Sequence, residues 1–223
     1  MSAGAAQGLV RGLAAREGVE VEGLFGAVGV MQDALVAGQA CDIVILTRSQ
    51  VAELATGGVV TEGSIRDLGA VATSIAVRSA DATPDVHDAK ALAAALRAAD
   101  AIYFPDAVKS TAGMHFAHVM RQLGVHDALA DRFRTFPNGS TAMAAMAQAG
   151  GLPIGCTQAT EILATPGTRL VAPLPAGLDL RTTYTAAMRT GTADPIAAMR
   201  FIEALAGTTH AAMRAQAGFA QPN

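Results

Sequence analysis

Two long β-type segments constrain the topology of this chain more than any other feature. They lie at 68–79 and 181–188 and bracket a middle block of helix and strand patterns. A chain that leaves one α/β lobe, builds a second and returns to the first needs two crossing strands. The pattern therefore predicts a discontinuous first lobe, residues 1–75 and 185–223, and a continuous second lobe, residues 76–184.

Helix-period and strand-period segments alternate within each block. Short apolar runs indicate buried parallel strands, and the amphipathic stretches between them indicate helices that cover the sheets. The predicted fold class is therefore α/β, with a mainly parallel sheet flanked by helices in each lobe. Strands are predicted at 19–25, 42–46, 68–79, 101–104, 152–156, 170–174 and 181–188, and helices at 2–16, 29–37, 48–55, 84–99, 113–123, 140–149, from 158, 193–205 and 209–217.

Four of the predicted helices begin with small residues. The segments are MSAGA (1–5), in which Ser2 is the predicted N-cap, GAVG (26–29), KSTAG (109–113) and NGST (138–141). A helix start leaves N–H groups unpaired and carries about half a positive charge, so it can hold an anion without Lys or Arg. Two of these starts fall in each predicted lobe, which predicts one anion site in a cleft between the lobes.

The composition narrows the ligand classes. Hydrophobic residues make up 51% of the 223 residues and charged residues 16%, which is typical of a compact soluble protein. The net charge of −3 and the absence of Trp argue against a nucleic-acid partner. None of the apolar runs approaches the roughly 18 residues of a membrane span, and the chain begins without a signal-peptide pattern. An anionic ligand is therefore expected to be held by dipoles and hydrogen bonds.

The cysteines and histidines predict neither a metal site nor a cofactor. Cys41 and Cys156 lack the spacing of a redox or zinc motif and are predicted to be free thiols. His115 and His118 are three positions apart on one predicted helix, with His126 following. This spacing can bind a metal, but no HExxH pattern or carboxylate partner accompanies it.

Four stretches resemble the molybdate-binding class of periplasmic type II solute-binding proteins. They are FGAVGVMQDALVAGQACDIVIL (25–46), STAGMHFAHVMRQLG (110–124), GGLPIGCTQATEIL (150–163) and VAPLPAGLDLRTTYTAAM (171–188). The resemblance covers nearly the whole chain. It implies a monomeric two-lobe periplasmic protein that binds a small anion, performs no chemistry and delivers its ligand to the permease of an ABC-type importer. The family's first strand has no counterpart before Ser2, so this strand is predicted to be missing, with the true start upstream or the chain truncated.

The resemblance also implies which residues bind the ligand. The family's helix-start positions fall on Ser2, Val28, Ala112, Ser140 and Gln158. Val28 and Gln158 replace a serine and a tyrosine, whereas Lys109 adds a positive charge, so a carboxylate ligand is compatible with the site. With their neighbours, the predicted ligand-binding residues are Ser2, Ala3, Ala27, Val28, Lys109, Ser110, Thr111, Ala112, Ser140 and Gln158.

Two alternatives remain open at the level of sequence. The first is an isomerase of a small unsaturated tricarboxylate such as aconitate, on the same scaffold, with Lys109, His115 or Glu161 as the base that moves the proton. The second is the effector-sensing domain of a transcription regulator, although no helix-turn-helix pattern is visible in this chain. The solute-binding hypothesis is preferred because the helix starts and the two crossing strands both support it.

Overall fold

A computed structural model describes residues 1–220 of the chain. These residues form two compact units, and the chain passes between them twice. Unit 1 comprises Met1–Val71 and the described residues from Thr182 onward, whereas unit 2 comprises Ala72–Arg181. The predicted first lobe extends to residue 223, and its positions 221–223 lie outside the described residues.

Helices and strands alternate along most of the chain. The strands are β1 (Ser2–Ala3), β2 (Phe25–Gly26), β3 (Ile43–Thr47), β4 (Arg66–Arg78), β5 (Ala101–Pro105), β6 (Phe133–Phe136), β7 (Pro153–Gln158), β8 (Thr168–Pro173) and β9 (Arg181–Met188). The α-helices are α1 (Gln7–Glu17), α2 (Val28–Val36), α3 (Arg48–Thr56), α4 (Ala89–Ala98), α5 (Thr111–Gln122), α6 (Gly139–Ala147), α7 (Ala159–Leu163), α8 (Pro195–Ala206) and α9 (Ala211–Gln216). Short 3-10 turns lie at Gly4–Ala6, Glu62–Ser64, Asp127–Arg132 and Thr208–His210.

In unit 1, the short strand β1 lies between β2 and β3 and runs parallel to both. β9 pairs with β3 in the antiparallel direction, with Ile45 opposite Ala186. Helices α1, α2, α3 and α8 bury apolar side chains such as Leu13 and Ile202, both of which have no exposed surface. The unit is therefore a small mixed sheet covered by helices, which places the starts of α1 and α2 after the carboxyl ends of β1 and β2.

In unit 2, β5 runs parallel to β6 and β7, and β4 runs antiparallel to β7 and β8. One face of this sheet packs against α4 and α5 through a core that includes Ile75, Cys156 and Phe116. The other face packs against α6 and α7 through a smaller core that includes Met143 and Ile162. The starts of α5 and α6 therefore approach the sheet from opposite faces.

The beginning of the chain differs from the sequence-based expectation. Ser2 is a residue of β1, paired with Phe25 and Ile45, so the prediction that it caps a helix was wrong. Helix α1 begins only after a 3-10 turn, with Ala6 as its N-cap. The first strand, predicted to be missing, is present as a two-residue strand because Ser2 and Ala3 extend between two parallel neighbours.

Three further elements were misjudged from sequence. The strand predicted at 19–25 is reduced to Phe25–Gly26, since Val19 and Val21 remain 47% and 39% exposed and gain no buried face. The helix predicted at 84–99 begins at Ala89, because the Asp88 side chain accepts a hydrogen bond from the Ala91 N–H at 2.7 Å. β6 was not predicted, because the polar pair of Arg134 and Thr135 interrupts the alternation of apolar and polar residues.

Candidate functional site

The predicted residues of unit 1 offer backbone groups to a ligand rather than side chains. Ala27 is the N-cap of α2 without a side-chain cap, and Val28 is the first helical residue. Ala3, Ala27 and Val28 are all buried. The Ser2 hydroxyl donates a hydrogen bond to the Ala3 carbonyl oxygen at 3.0 Å, so it is engaged locally. The start of α2 can therefore hold an anion only through its N–H groups.

Unit 1 also contains a cavity of about 760 Å³. Met1, Ser2 and Asp42 line it together with the exposed segment 19–24 and the first half of α8. Ser2 is the one predicted ligand-binding residue in this lining. The cavity lies beside the amino-terminal ends of β1 and β3. The other predicted ligand-binding residues of unit 1, which are Ala3, Ala27 and Val28, lie at or just after the carboxyl ends of β1 and β2.

In unit 2, the start of α5 is built directly onto the end of β5. The Asp106 carboxylate accepts hydrogen bonds from the N–H groups of Val108 and Lys109, each at 2.7 Å. Ser110 is the N-cap of α5, and its hydroxyl accepts from the Gly113 N–H at 3.4 Å. A Cβ at Gly113 would overlap the carbonyl oxygens of Pro105 and Asp106, so glycine allows this close approach.

Gln158 lies at the same edge of the sheet as the start of α5. The register Tyr103 opposite Gly155 brings the carboxyl ends of the parallel strands β5 and β7 together. Gln158 has the same parity along β7 as Cys156, whose side chain packs in the core with α5. Because side chains alternate along a strand, the Gln158 side chain faces the α5 side. The structure thus places Gln158 and the start of α5, with Ser110, Thr111 and Ala112, at the same edge and on the same side of the sheet, as one candidate group.

Thr73 joins this group, although the sequence gave no reason to select it. It is paired with Gln158 across the β4–β7 ladder, and cross-strand partners have Cβ atoms about 4.5–5.5 Å apart. Thr73 is completely buried, and its Oγ1 has no hydrogen-bond partner among the described residues. Since buried hydroxyls are normally paired, this one is an exception among the described residues.

Ser140 belongs to a different environment, at the start of α6 on the opposite face. Asn138 caps this helix, its Oδ1 accepting from the Thr141 N–H at 2.9 Å. The start of α6 lies against the buried carboxyl group of Glu161, and the N–H groups of Gly139, Ser140 and Gln158 lower the pKa of that carboxyl. The helix start that was predicted to hold the ligand therefore faces a carboxyl group of the protein itself.

Glu161 is the most unusual ionisable group of this region. Its Oε2 accepts a hydrogen bond from the Thr157 hydroxyl at 2.5 Å, and the residue is only 6% exposed. Burial raises the pKa of Glu161, and the hydrogen bonds from Thr157 and from the three N–H groups offset part of this effect. A Cβ at Gly139 would overlap Oε2 of Glu161 and Oγ1 of Thr157, so the contact requires glycine.

The remaining candidates lie outside both groups. Lys109 is exposed, and His115 Nε2 is bonded to the Leu178 carbonyl oxygen at 2.8 Å. Cys41 and Cys156 are free thiols, as predicted, and burial raises the pKa of Cys156 well above its ordinary value. Within residues 1–220, no cluster of three or more His, Cys, Asp or Glu side chains could hold a metal ion.

None of the helices in the described part of the chain has the length and apolarity needed to cross a membrane.

Comparisons with known proteins agree with the architecture of the two units. Residues 3–220 match the model of a family described as bacterial extracellular solute-binding protein. The fold is similar to the periplasmic molybdate-binding protein of Azotobacter vinelandii, with a TM-score of 0.78 and 18% identity over 100% of both chains. It is also similar to the sulfate-binding protein SubI of Mycobacterium tuberculosis, with a TM-score of 0.70 and 18% identity over 98% of this chain and 84% of that one.

One curated relative is an enzyme. Aconitate isomerase from a Pseudomonas species is 25% identical over 166 residues, which is 74% of this chain. The aligned region spans 62% of the length of that relative.

The fold is therefore that of the type II periplasmic solute-binding proteins of the molybdate-binding kind. This confirms the predicted fold class and the resemblance. More specifically, the chain belongs to the family of bacterial extracellular solute-binding proteins.

Proposed function

We propose that this protein binds a small anion through helix-start N–H groups and uncharged side chains, and delivers it to the permease of an ABC-type importer. The observation that carries the proposal is the group at the start of α5. There, a 12-residue helix begins beside Gln158 and beside a buried Thr73 hydroxyl that has no partner among the described residues. The first N–H groups of such a helix have no intrahelical acceptor, and the helix dipole favours an anion in front of them.

The chemistry of this group narrows the ligand class. Ser110, Thr111, Thr73 and Gln158 supply hydroxyl and amide groups, which form hydrogen bonds without carrying charge. Such donors suit a fully ionised anion that arrives with its own charge, either a tetrahedral oxyanion or a small carboxylate. The exposed Lys109 adjoins the same helix start and adds a positive charge beside it. We also propose that the protein is a monomer and that it is located outside the cytoplasmic membrane.

Ligand-induced stabilisation tests the proposal directly. The full chain is melted alone and with molybdate, tungstate, sulfate, and small di- and tricarboxylates. A ligand at one hundred times its dissociation constant stabilises the folded protein by about 2.7 kcal/mol, which is readily measured as a rise in melting temperature. If none of these anions raises the melting temperature, the proposed function is wrong.

A second candidate function is isomerisation of an aconitate-like tricarboxylate, which the similarity to aconitate isomerase favours. Proton transfer needs a base that reaches the substrate. His115 is occupied by the Leu178 carbonyl oxygen, and the Glu161 carboxyl is buried among its own donors. Incubating the protein with cis- or trans-aconitate and recording proton NMR spectra over hours separates the two functions, since a binding protein leaves both spectra unchanged.

A further inference from the structure

Glu161 is a buried carboxyl group whose described contacts are uncharged. The Thr157 hydroxyl donates a hydrogen bond to it at 2.5 Å, and the start of α6 at Gly139 lies against its Oε2. The elements packed against α7 are α6, β7 and β8. This arrangement supplies the carboxylate with neutral hydrogen-bond donors, so any compensating positive charge would have to come from a side chain on those elements.

The charged and titratable groups on those elements do not supply the compensation. α6 carries no titratable side chain, and on β7 only Cys156 could titrate, on the opposite face of the sheet. On β8, the Arg169 guanidinium donates to Thr83 Oγ1 at 2.8 Å and to the Asp81 carbonyl oxygen at 2.7 Å. Within the described residues, these elements therefore supply Glu161 with no charged partner, and its charge is stabilised by the Thr157 hydroxyl and by the positive end of α6.

Gln158 connects this carboxyl group with the proposed anion site. Its neighbour Thr157 donates a hydrogen bond to the Glu161 carboxyl, while the Gln158 side chain lies on the α5 face, opposite Thr73 in the β4–β7 pairing. A negative charge on Glu161 would repel an anion held near Gln158 in this poorly solvated region. A protonated Glu161 would remove that repulsion.

We propose that Glu161 takes up a proton when the anion binds, so that the affinity for the anion falls as the pH rises. This inference rests on the proposed function, because it concerns the same site. By linkage, a ligand that binds better to the protonated form raises the proton affinity of Glu161 by the same factor. The affinity is then expected to fall by up to about tenfold per pH unit between the pKa of Glu161 in the free protein and its pKa in the complex.

Calorimetric titration of the full chain tests this coupling. The probes are sulfate, molybdate and trans-aconitate, and the titrations run from about pH 5 to about pH 9, with sulfate, whose own charge is constant across this range, as the reference for proton uptake. Each titration is repeated in buffers with different enthalpies of ionisation, which reports the number of protons bound with the anion. We expect uptake to approach one proton per anion in the range where the affinity falls.

Substitution identifies the group that takes up the proton. Glu161→Gln keeps the shape and the acceptor oxygen, and its amide group can donate to Thr157 Oγ1. The variant should bind the anion with an affinity that does not change with pH and without proton uptake. Glu62→Gln, at an exposed glutamate of unit 1, is the matched control and should retain the pH dependence of the unchanged protein.

The outcomes separate the two proposals. An anion that binds with the same affinity at each pH, or that keeps its proton uptake in Glu161→Gln, overturns the coupling and leaves the binding function intact. No heat with any of the three probes at any pH overturns both. The proton count of the unchanged protein decides the question even if Glu161→Gln folds poorly.

Discussion

At the scale of single residues, Thr73 illustrates what the sequence conceals. It lies inside the apolar run LGAVATSIAVRS, where a threonine is compatible with any position of a strand. Only the register opposite Gln158 and the face shared with Ile75 place it on the α5 side of the sheet. Ser2 was selected from the sequence for a role that it does not have. A serine before small residues favours an N-cap, but in the structure Ser2 is a strand residue.

Replacing the Thr73 hydroxyl should separate binding from stability. Thr73→Val keeps the branched shape and removes a buried hydroxyl that has no partner among the described residues. We expect the ligand-free protein to be unchanged or slightly more stable in urea, because an unpaired buried polar group costs about 1–3 kcal/mol. Affinity for the anion should fall by about 1 kcal/mol in a calorimetric titration. Thr73→Ser, the control, should retain the affinity, and equal binding by both variants would exclude Thr73 from the site.

A second substitution tests the close contact at the start of α6. Gly139→Ala would drive its Cβ into the Glu161 carboxyl group and the Thr157 hydroxyl, both of which are buried. Overpacking of this kind typically costs about 1–3 kcal/mol, measured as the free energy of unfolding in urea. Gly150→Ala has open space around the new methyl group and should leave that free energy almost unchanged. Similar losses in both variants would contradict the contact.

At the scale of elements, strongly patterned segments were predictable and weakly patterned ones were not. The sequence located β5, β7 and β9 to within two residues at each end, because β5 and β7 are short apolar runs bounded by turns and β9 is rich in the strand-forming residues Thr and Tyr. It failed at 19–25, where alternating valines and glutamates find no surface to bury them. β6 escaped notice because its hydrogen bonds with the parallel strand β5, which lies distant in sequence, define it.

The same tertiary dependence limited prediction of the site. Small residues at helix starts correctly located Ser110–Ala112 before α5 and Ser140 within the first turn of α6. They could not indicate that the Glu161 carboxyl lies against the start of α6, since that contact requires α7 to pack against α6.

Helix caps offer an element-scale test of where the anion binds. Ser110 caps α5 and Asp88 caps α4, and both helices belong to unit 2. Ser110→Ala and Asp88→Ala should each destabilise the protein by about 1 kcal/mol in urea unfolding, because a donor of the first turn loses its acceptor. Only Ser110→Ala should also weaken anion binding, by about 1 kcal/mol, because the proposed anion lies at the start of α5 and not at the start of α4. Equal affinities in the two variants would contradict a ligand at the start of α5.

At the scale of the whole molecule, the stability of the folded chain should depend on pH through Glu161. Burial raises the pKa of this group in the folded protein above its value in the unfolded chain. The folded state therefore binds the proton more tightly. Its contribution to stability is fully present below the unfolded pKa and is lost as the pH rises through the folded pKa.

Comparison with Glu161→Gln isolates this contribution from the other titrating groups, because those are common to both proteins. Urea unfolding of the ligand-free chains is measured from about pH 4 to about pH 9, which spans ordinary and raised carboxyl pKa values. The unchanged protein should lose stability relative to the variant as the pH rises, by about 1.4 kcal/mol for each unit that separates the two pKa values. Above the folded pKa the difference should level off, since both states are then ionised. A difference that is constant across the range would mean that Glu161 is ionised equally easily in both states, and that its hydrogen bonds fully compensate its burial.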